Sequence, residues 1–284
     1  MTTLETHPLQ PHFGLEVLGV ELASLDDATF AAILRAWQEQ PLLLFRRQVL
    51  SEADLVALSE RFGELFVVPN YLNSRQHPAI MYVSNLLTQS GRRVGSLASS
   101  ELNWHSDQSY QPRPATGSIF YAVEMPEGQG CTSWCNGELA YAMLPQDLQA
   151  ELEGLEGESR YNGYEREQIS EAEKQAMREK YPPVRHPLVL THPATGRKTL
   201  YLDISITYRI VGLPEARSKA LLKELAAVMT RPECVYAHEW RMGDVMLWDN
   251  GRTCHRRDPI DPDVPRLAKR TTIYLRPTEF SVPA

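Results

Sequence analysis

Short segments with the composition and alternation of β-strands recur along the sequence, and this pattern most restricts the fold. They lie at residues 12–22, 42–45, 79–83, 118–123, 186–191, 198–202, 235–240, 245–248 and 268–275. Strands of globular proteins are short and send alternate side chains to opposite faces of a sheet. No βαβ series and no Gly-rich phosphate loop accompanies them. The sequence therefore predicts a mainly β chain with inserted helices, arranged as a β-sandwich or jelly roll.

Helical periodicity separates some of these strands. Predicted helices cover residues 28–40, 52–62, 138–153, 164–180 and 214–229. Asp26 or Asp27 can cap the first helix, and Ser51–Asp54 has the form of a capping box for the second. The third and fourth helices form a predicted helical insertion around residues 138–180. The whole chain, residues 1–284, is expected to be a single domain, since this length can bury one large core.

The composition excludes several classes of partner. The net charge of −7 argues against nucleic acid or an anionic membrane as the main partner. The first residues lack the basic and apolar regions of a secretory signal, and no apolar run reaches the length of a membrane span. The four cysteines show no zinc-type spacing, so we expect free, mostly buried thiols. These features fit a cytoplasmic enzyme best, and a homo-oligomer is compatible with them.

The segment Asn103–Asp107 contains a candidate pair of metal ligands. On an extended strand, His105 and Asp107 would project from the same face, because side chains at i and i+2 do so. His255 offers a third ligand. Two histidines and one carboxylate form the facial triad of non-haem Fe(II) oxygenases, which leaves coordination positions open. A His-x-Asp tripeptide alone is weak evidence, since it occurs often by chance.

Two arginines follow His255 at fixed distances. Arg266 and Arg270 would share one face of a strand. If that face points inward, each guanidinium needs an anion, because an unpaired buried charge is costly. Arginine suits bidentate binding of carboxylate or sulfonate. The same pattern also fits two solvated surface arginines.

From about Phe13 to Pro277, the chain resembles the taurine/α-ketoglutarate dioxygenase (TauD/TfdA) family. The matching motifs are Trp104–Asp107, the turn Gly130–Thr132, Trp248–Asn250, His255, and the arginines 11 and 15 residues after it. The resemblance implies a double-stranded β-helix core, a cupin-like jelly roll. It also implies Fe(II) as cofactor, with 2-oxoglutarate and O2 as co-substrates.

The resemblance assigns expected roles to individual residues. His105, Asp107 and His255 would bind Fe(II). Arg266, helped by Thr132, would hold the distal carboxylate of 2-oxoglutarate. Further residues would contact the prime substrate or line the pocket: Arg270 would hold the anionic group, Tyr71 and Asn103 would make substrate contacts, and Trp248 would line the metal pocket. Tyr71, Asn103 and Trp248 could equally serve packing alone.

The implied reaction couples decarboxylation of 2-oxoglutarate to succinate and CO2 with oxidation of a C–H bond. Asp107 argues against halogenation, because related halogenases replace this carboxylate to admit chloride. Taurine dioxygenase has a sulfonate-binding histidine where this chain has Val68, which cannot donate a hydrogen bond. We therefore expect a small anionic substrate with a larger or more apolar body than taurine, such as a carboxylate, amino acid, sulfonate or sulfate ester.

Several alternatives stay open. The same cofactor chemistry could lead to desaturation, cyclisation or isonitrile formation in a biosynthetic pathway. A remote alternative is a metal-binding jelly roll without catalysis. Residues 85–101 are low in core-forming side chains and form a predicted lid loop. His238, on an alternating strand, is predicted to be a packing residue and no ligand.

Overall fold

The computed structural model describes residues 2–69, 72–97, 101–161 and 170–283. The strands are β1 (Glu5–Gln10), β2 (Phe13–Leu18), β3 (Leu42–Phe45), β4 (Gly63–Phe66), β5 (Met81–Ser84), β6 (Leu102–His105), β7 (Gly117–Glu124), β8 (Thr132–Asn136), β9 (Glu156–Ser159), β10 (Val184–Pro187), β11 (Val189–Thr191), β12 (Lys198–Leu200), β13 (Thr207–Ile210), β14 (Val235–His238), β15 (Val245–Asp249), β16 (Thr253–Arg257) and β17 (Leu267–Leu275). The helices are α1 (Asp27–Glu39), α2 (Glu52–Glu60), α3 (Gly137–Ala142), α4 (Gln146–Leu152), α5 (Glu171–Lys180) and α6 (Glu215–Met229). The chain is mainly β with inserted helices, as predicted.

Two sheets face each other and enclose the candidate active site. The larger has the order β1-β2-β3-β15-β7-β17-β4, with β5 also pairing with β17. The smaller has the order β14-β8-β16-β6. Aromatic side chains fill the space between the sheets: the rings of Trp134 and Trp248 lie 5.6 Å apart, and those of Phe120 and Trp240 lie 4.7 Å apart. Such aromatic pairs stabilise by more than their buried area alone.

Helices cover the outer faces of both sheets. Behind the larger sheet, Trp37 of α1 packs edge-on against Phe62, with ring centroids 4.8 Å apart. Behind the smaller sheet, Leu221 and Leu225 of α6 pack in a separate apolar cluster. Because both outer faces are buried, the strands can be apolar on two sides, as the fully buried Leu42–Phe45 illustrates.

The predicted helix starts are confirmed where capping chemistry specifies them. The carboxylate of Asp26 accepts from the Thr29 amide at 2.6 Å, and Ser51 and Asp54 form the expected capping box. These bonds satisfy amide groups that a helix start otherwise leaves without partners. Local sequence was therefore sufficient to locate both helices.

The predicted continuous helix over 138–153 is wrong. The structure has two short helices, α3 and α4, separated at Pro145. Proline lacks an amide hydrogen and disfavours the helical conformation of the residue before it, so α3 ends at Ala142, with Met143 as its C-cap. Of the predicted helix over 164–180, α5 forms from Glu171, and residues 162–169 lie outside the described part of the chain.

Several strands were not predicted: β1, β4, β8, β9, β13 and β16. Strand β1 is an edge strand that contains Pro8, and proline occurs in sheets almost only at edges. Strand β9, with the sequence Glu-Gly-Glu-Ser, pairs between β10 and β13. Its residues have low strand propensity, so only the neighbouring strands specify it.

Among the described residues, no helix is long and apolar enough to cross a membrane.

A buried ionic network joins α1 to the turn between β15 and β16. The side chain of Arg252 is fully buried, and its Nε donates to Asp249 at 2.7 Å. Its Nη1 lies 3.2 Å from Glu138 and donates to the Gln38 carbonyl at 2.9 Å. This network fixes the turn that leads to His255.

Replacement of Arg252 by methionine should lower the free energy of unfolding by about 3–5 kcal/mol, because it leaves the fully buried Asp249 without its cation. Urea unfolding followed by circular dichroism would measure this. The control is Arg35→Met on the exposed side of α1, which should change stability by less than about 0.5 kcal/mol. Equal effects of the two substitutions would contradict a stabilising role for the network.

Candidate active site

Three potential metal ligands converge between the two sheets. The ligand atoms of His105, Asp107 and His255 all lie within 4.8 Å of one another. Nε2 of His105 is 3.8 Å from Oδ1 of Asp107, and Nε2 of His255 is 3.8 Å from Oδ2. One ion at the centre of this group could contact all three residues.

Strand pairing brings the two histidines together. Strands β6 and β16 are antiparallel neighbours, with His105 directly opposite His255. The ring centroids are 4.2 Å apart. Nδ1 of His105 bonds to the Asn103 carbonyl at 2.7 Å, which places the ring hydrogen on Nδ1 and leaves Nε2 able to bind a metal. Strand β6 ends at His105, so Asp107 lies just beyond it and is not held by the strand.

Two residues that sequence reasoning missed hold Asp107 in place. The carboxylate of Asp203 accepts from the Ser106 amide at 3.0 Å and from the Ser109 hydroxyl at 2.6 Å. The side-chain oxygen of Asn250 accepts from the Asp107 amide at 3.3 Å. Asn250 lay within the quoted Trp248–Asn250 motif, but no local signal pointed to Asp203. Both contacts position the segment that carries the carboxylate ligand.

The carboxylate of Asp107 is buried against positive charge. Its Oδ2 contacts Nη2 of Arg270 and accepts from the Ser118 hydroxyl at 3.2 Å. Burial opposes ionisation, but Arg270 and the two histidines outweigh it and hold the pKa of Asp107 below its usual range. Asp107 is therefore ionised, as a metal ligand must be.

His255 is kept neutral by its surroundings. Burial lowers its pKa well below the usual value, the charge of His105 adds to this shift, and Asp107 opposes it. Its ring lies 6.4 Å from that of Trp134 in a stacked arrangement and 5.2 Å from that of Trp248. A neutral imidazole is the form that binds metal.

The three ligands line one cavity of about 190 Å³. Its polar walls include Thr132 and the arginines 257, 266 and 270. Its apolar and aromatic walls are formed by Val68, Met81, Val83, Leu97, Leu102, Tyr110, Phe120, Trp134, Tyr161, Ile206, Trp240 and Trp248. A mostly apolar cavity with a few convergent charged groups is typical of a small-molecule site.

Arg266 and Arg270 both point inward, so the alternative of two solvated surface arginines is wrong. They are 1% and 8% exposed. Burial, and next the charge of Arg257, lowers the pKa of Arg266 to about 9. In the described part of the chain, its Nε and Nη1 have no hydrogen-bond partner. A buried guanidinium in this state fits an anionic ligand.

Thr132 lines the cavity with its hydroxyl oriented by a neighbour. The indole Nε1 of Trp240 donates to Thr132 Oγ1 at 2.9 Å. Because an indole N–H only donates, the hydroxyl must use its own hydrogen elsewhere. It is therefore suited to donate to an anion in the cavity.

The other residues predicted to contact ligands divide into three groups. Trp248 and Val68 line the cavity. The side chain of Asn103 is exposed and is not among the lining residues; its carbonyl instead orients His105. Tyr71 lies outside the described residues.

His238 is buried away from the ligand cluster. Its ring bonds to Tyr236 at 2.9 Å and to Asp244 at 3.0 Å. Burial lowers its pKa, although Asp244 opposes the shift. This packing role agrees with the interpretation of the sequence.

The donor set fits Fe(II). Two imidazoles and one ionised carboxylate, grouped on one side of an open cavity, are the ligands of non-haem iron oxygenases. The bare guanidinium nitrogens of Arg266 and the oriented Thr132 hydroxyl fit a carboxylate farther along the same cavity. A 2-oxo dicarboxylic acid provides such a carboxylate.

Comparison with known proteins identifies the family. The sequence profile for taurine catabolism dioxygenase TauD, TfdA family, matches residues 5–272. The α-ketoglutarate-dependent 2,4-dichlorophenoxyacetate dioxygenase of Cupriavidus pinatubonensis is 36% identical over 282 residues, covering 94% of this chain and 96% of that protein. The alkylsulfatase of Acinetobacter baylyi is 32% identical over 286 residues, covering 95% of this chain and 84% of that protein.

A solved structure agrees with the sequence relatives. The crystal structure of a taurine dioxygenase from Burkholderia xenovorans has a TM-score of 0.79 and 30% sequence identity to this chain. The match covers 100% of this chain and 97% of that one. The chain therefore belongs to the TauD/TfdA family and is an Fe(II)- and 2-oxoglutarate-dependent dioxygenase.

Proposed function

We propose that this dioxygenase hydroxylates a small anionic molecule with an apolar body: a carboxylate, an amino acid, a sulfonate or a sulfate ester. The observation that carries the proposal is the position of Arg270, which is buried in the cavity and touches the candidate iron ligand Asp107. A cation beside the metal would hold an anionic group there and direct the remainder of the substrate into the apolar part of the cavity.

His105, Asp107 and His255 would hold the iron. When bound, Fe(II) and 2-oxoglutarate supply the oxidative decarboxylation that yields succinate and CO2 and the oxidising power for a C–H bond. The protein orients both substrates and excludes water. Trp134 and Trp248, both at most 2% exposed, shield His255 from solvent.

Arg266 and Thr132 would bind the distal carboxylate of 2-oxoglutarate. Because its Nε and Nη1 are buried without a hydrogen-bond partner among the described residues, the Arg266 guanidinium is a strong binding group for an anion: an incoming carboxylate removes an existing desolvation cost. The Thr132 hydroxyl, oriented by Trp240, adds a second donor. Together they would fix the length and orientation of the co-substrate.

The named substrates of two relatives share the proposed chemistry. A 2,4-dichlorophenoxyacetate dioxygenase and an alkylsulfatase are named for molecules with one anionic end and an apolar body. In this chain, Val68, Ile206, Tyr110 and Tyr161 line the cavity and would contact such a body. The apolar Val68 in place of the histidine of taurine dioxygenase favours substrates other than taurine.

We further propose that the two facing sheets form a double-stranded β-helix, or jelly roll, within a single domain covering residues 1–284. The segment 85–101, of which residues 98–100 lie outside the described part of the chain, would act as a lid. This proposal is supported by Leu97, which lines the cavity. A cytoplasmic location is supported by the four free cysteines, three of which are buried.

His105→Ala should reduce iron-dependent succinate formation to background, because it removes one of three ligands. Iron content after anaerobic loading should fall in parallel, while thermal unfolding should change little, since this side chain is 25% exposed. His7→Ala, on an exposed edge position, serves as the control. Full turnover in the His105 variant would rule out the proposed triad.

Arg266→Met and Arg270→Met should each raise the KM for a different substrate. Loss of a charged hydrogen bond costs about 1.5–3 kcal/mol, so Arg266→Met should raise the KM for 2-oxoglutarate roughly tenfold or more. Arg270→Met should raise the KM for the prime substrate by a similar factor. Steady-state kinetics with each substrate varied in turn would measure both. Indistinguishable profiles would contradict the assigned division between the two arginines.

A panel of matched compounds should reveal the substrate class. Aryloxyacetates, alkyl sulfates, alkyl sulfonates and amino acids should stimulate succinate formation, whereas the corresponding alcohols and amines should not, because they cannot pair with Arg270. Mass spectrometry of the products would separate hydroxylation from desaturation or cyclisation. Turnover confined to neutral or cationic compounds would disprove the proposed class.

A further inference from the structure

Arg257 is a buried cation in the cavity that the family motifs do not include. It lies on β16 two residues after His255, so both side chains point from the same face of the strand. The residue is 3% exposed and lines the same cavity as the candidate iron ligands.

Arg257 lies directly opposite Thr132 in the pairing of β16 with β8, and it lines the same cavity as Arg266. The charge of Arg257 is, after burial, the second cause of the lowered pKa of Arg266. Two like charges in a poorly solvated cavity repel each other, and each also loses its hydration. An anion between them would relieve both costs. This part of the cavity therefore favours an anionic ligand more strongly than a single arginine would.

We propose that Arg257 is a second guanidinium for the distal carboxylate of the 2-oxo acid, and that it increases the selectivity of the site for dicarboxylic over monocarboxylic 2-oxo acids. This inference rests on the proposed role of Arg266 in binding 2-oxoglutarate. Two arginines can together donate to both oxygens of one carboxylate. Neither Thr132 alone nor Arg266 alone would fill all the acceptor positions of these oxygens.

A backbone carbonyl holds Arg257 in orientation. Nη1 donates to the carbonyl of Leu97 at 2.8 Å. Leu97 also lines the cavity and has a φ of 53°, a left-handed conformation that leucine rarely adopts. A guanidinium carries five N–H donors, so a bond to a carbonyl is compatible with binding an anion as well.

The neighbouring Arg256 provides a matched control. Its side chain is 39% exposed, lies near Asp258 at 3.6 Å and sits over the ring of Trp104 at 5.5 Å. It is not among the residues that line the cavity. A substitution at this position changes the net charge by the same amount, on the same strand, but away from the proposed ligand.

The test is calorimetric binding of two 2-oxo acids to the Fe(II)-loaded enzyme without O2. The acids are 2-oxoglutarate and 2-oxopentanoate, which has the same chain length but a methyl group in place of the distal carboxylate. The proteins are the wild type, Arg257→Met, Arg257→Gln and Arg256→Met. The glutamine variant keeps an amide donor for the Leu97 carbonyl and provides a second test if the methionine variant folds poorly.

We expect each Arg257 variant to bind 2-oxoglutarate about tenfold or more weakly, as expected for loss of a charged hydrogen bond. Its affinity for 2-oxopentanoate should stay within about twofold of wild type, and Arg256→Met should bind both acids normally. Unchanged affinity for 2-oxoglutarate, or an equal loss for both acids, would overturn the inference. Failure of the wild type itself to bind 2-oxoglutarate would instead overturn the assigned role of Arg266.

Discussion

Positive charge in a buried cavity is the constraint on which the site depends. Arg266 and Arg270 are both nearly inaccessible to solvent, and Arg270 is paired with Asp107 while Arg266 has bare nitrogens in the described chain. Fe(II) would add further positive charge beside them. Anions that enter this cavity offset the cost of the buried cations, so the cavity favours an anionic co-substrate and an anionic substrate together.

The sheet framework makes this arrangement possible. Pairing of β6 with β16 places His105 opposite His255, and the facing strand β17 carries Arg270 into the same space. Asp107 lies beyond the end of its strand, so its position depends on Asp203 and Asn250. The backbone thus supplies two ligands directly, whereas the third requires support from side chains distant in sequence.

The ligands and helix starts were predictable because their signals are local or occur in fixed motifs. The capping bonds of Asp26 and Ser51 involve residues three positions away. By contrast, Asp203 acts on residues nearly one hundred positions earlier, and β9 exists only through pairing with β10 and β13. The break at Pro145 was visible in the sequence but was overruled by apolar periodicity on both sides. Tertiary contacts decide the role of Asp203 and the formation of β9, and no local pattern encodes either.

Anaerobic titration of the protein with Fe(II), followed by 2-oxoglutarate, tests the central claim most directly. We expect one equivalent of iron to bind, and addition of 2-oxoglutarate to produce the visible absorption of a chelated Fe(II) 2-oxo acid, since the triad leaves positions open on the metal. An anionic prime substrate should then perturb that absorption. Stoichiometric iron binding without any spectral response to 2-oxoglutarate would contradict the proposed site.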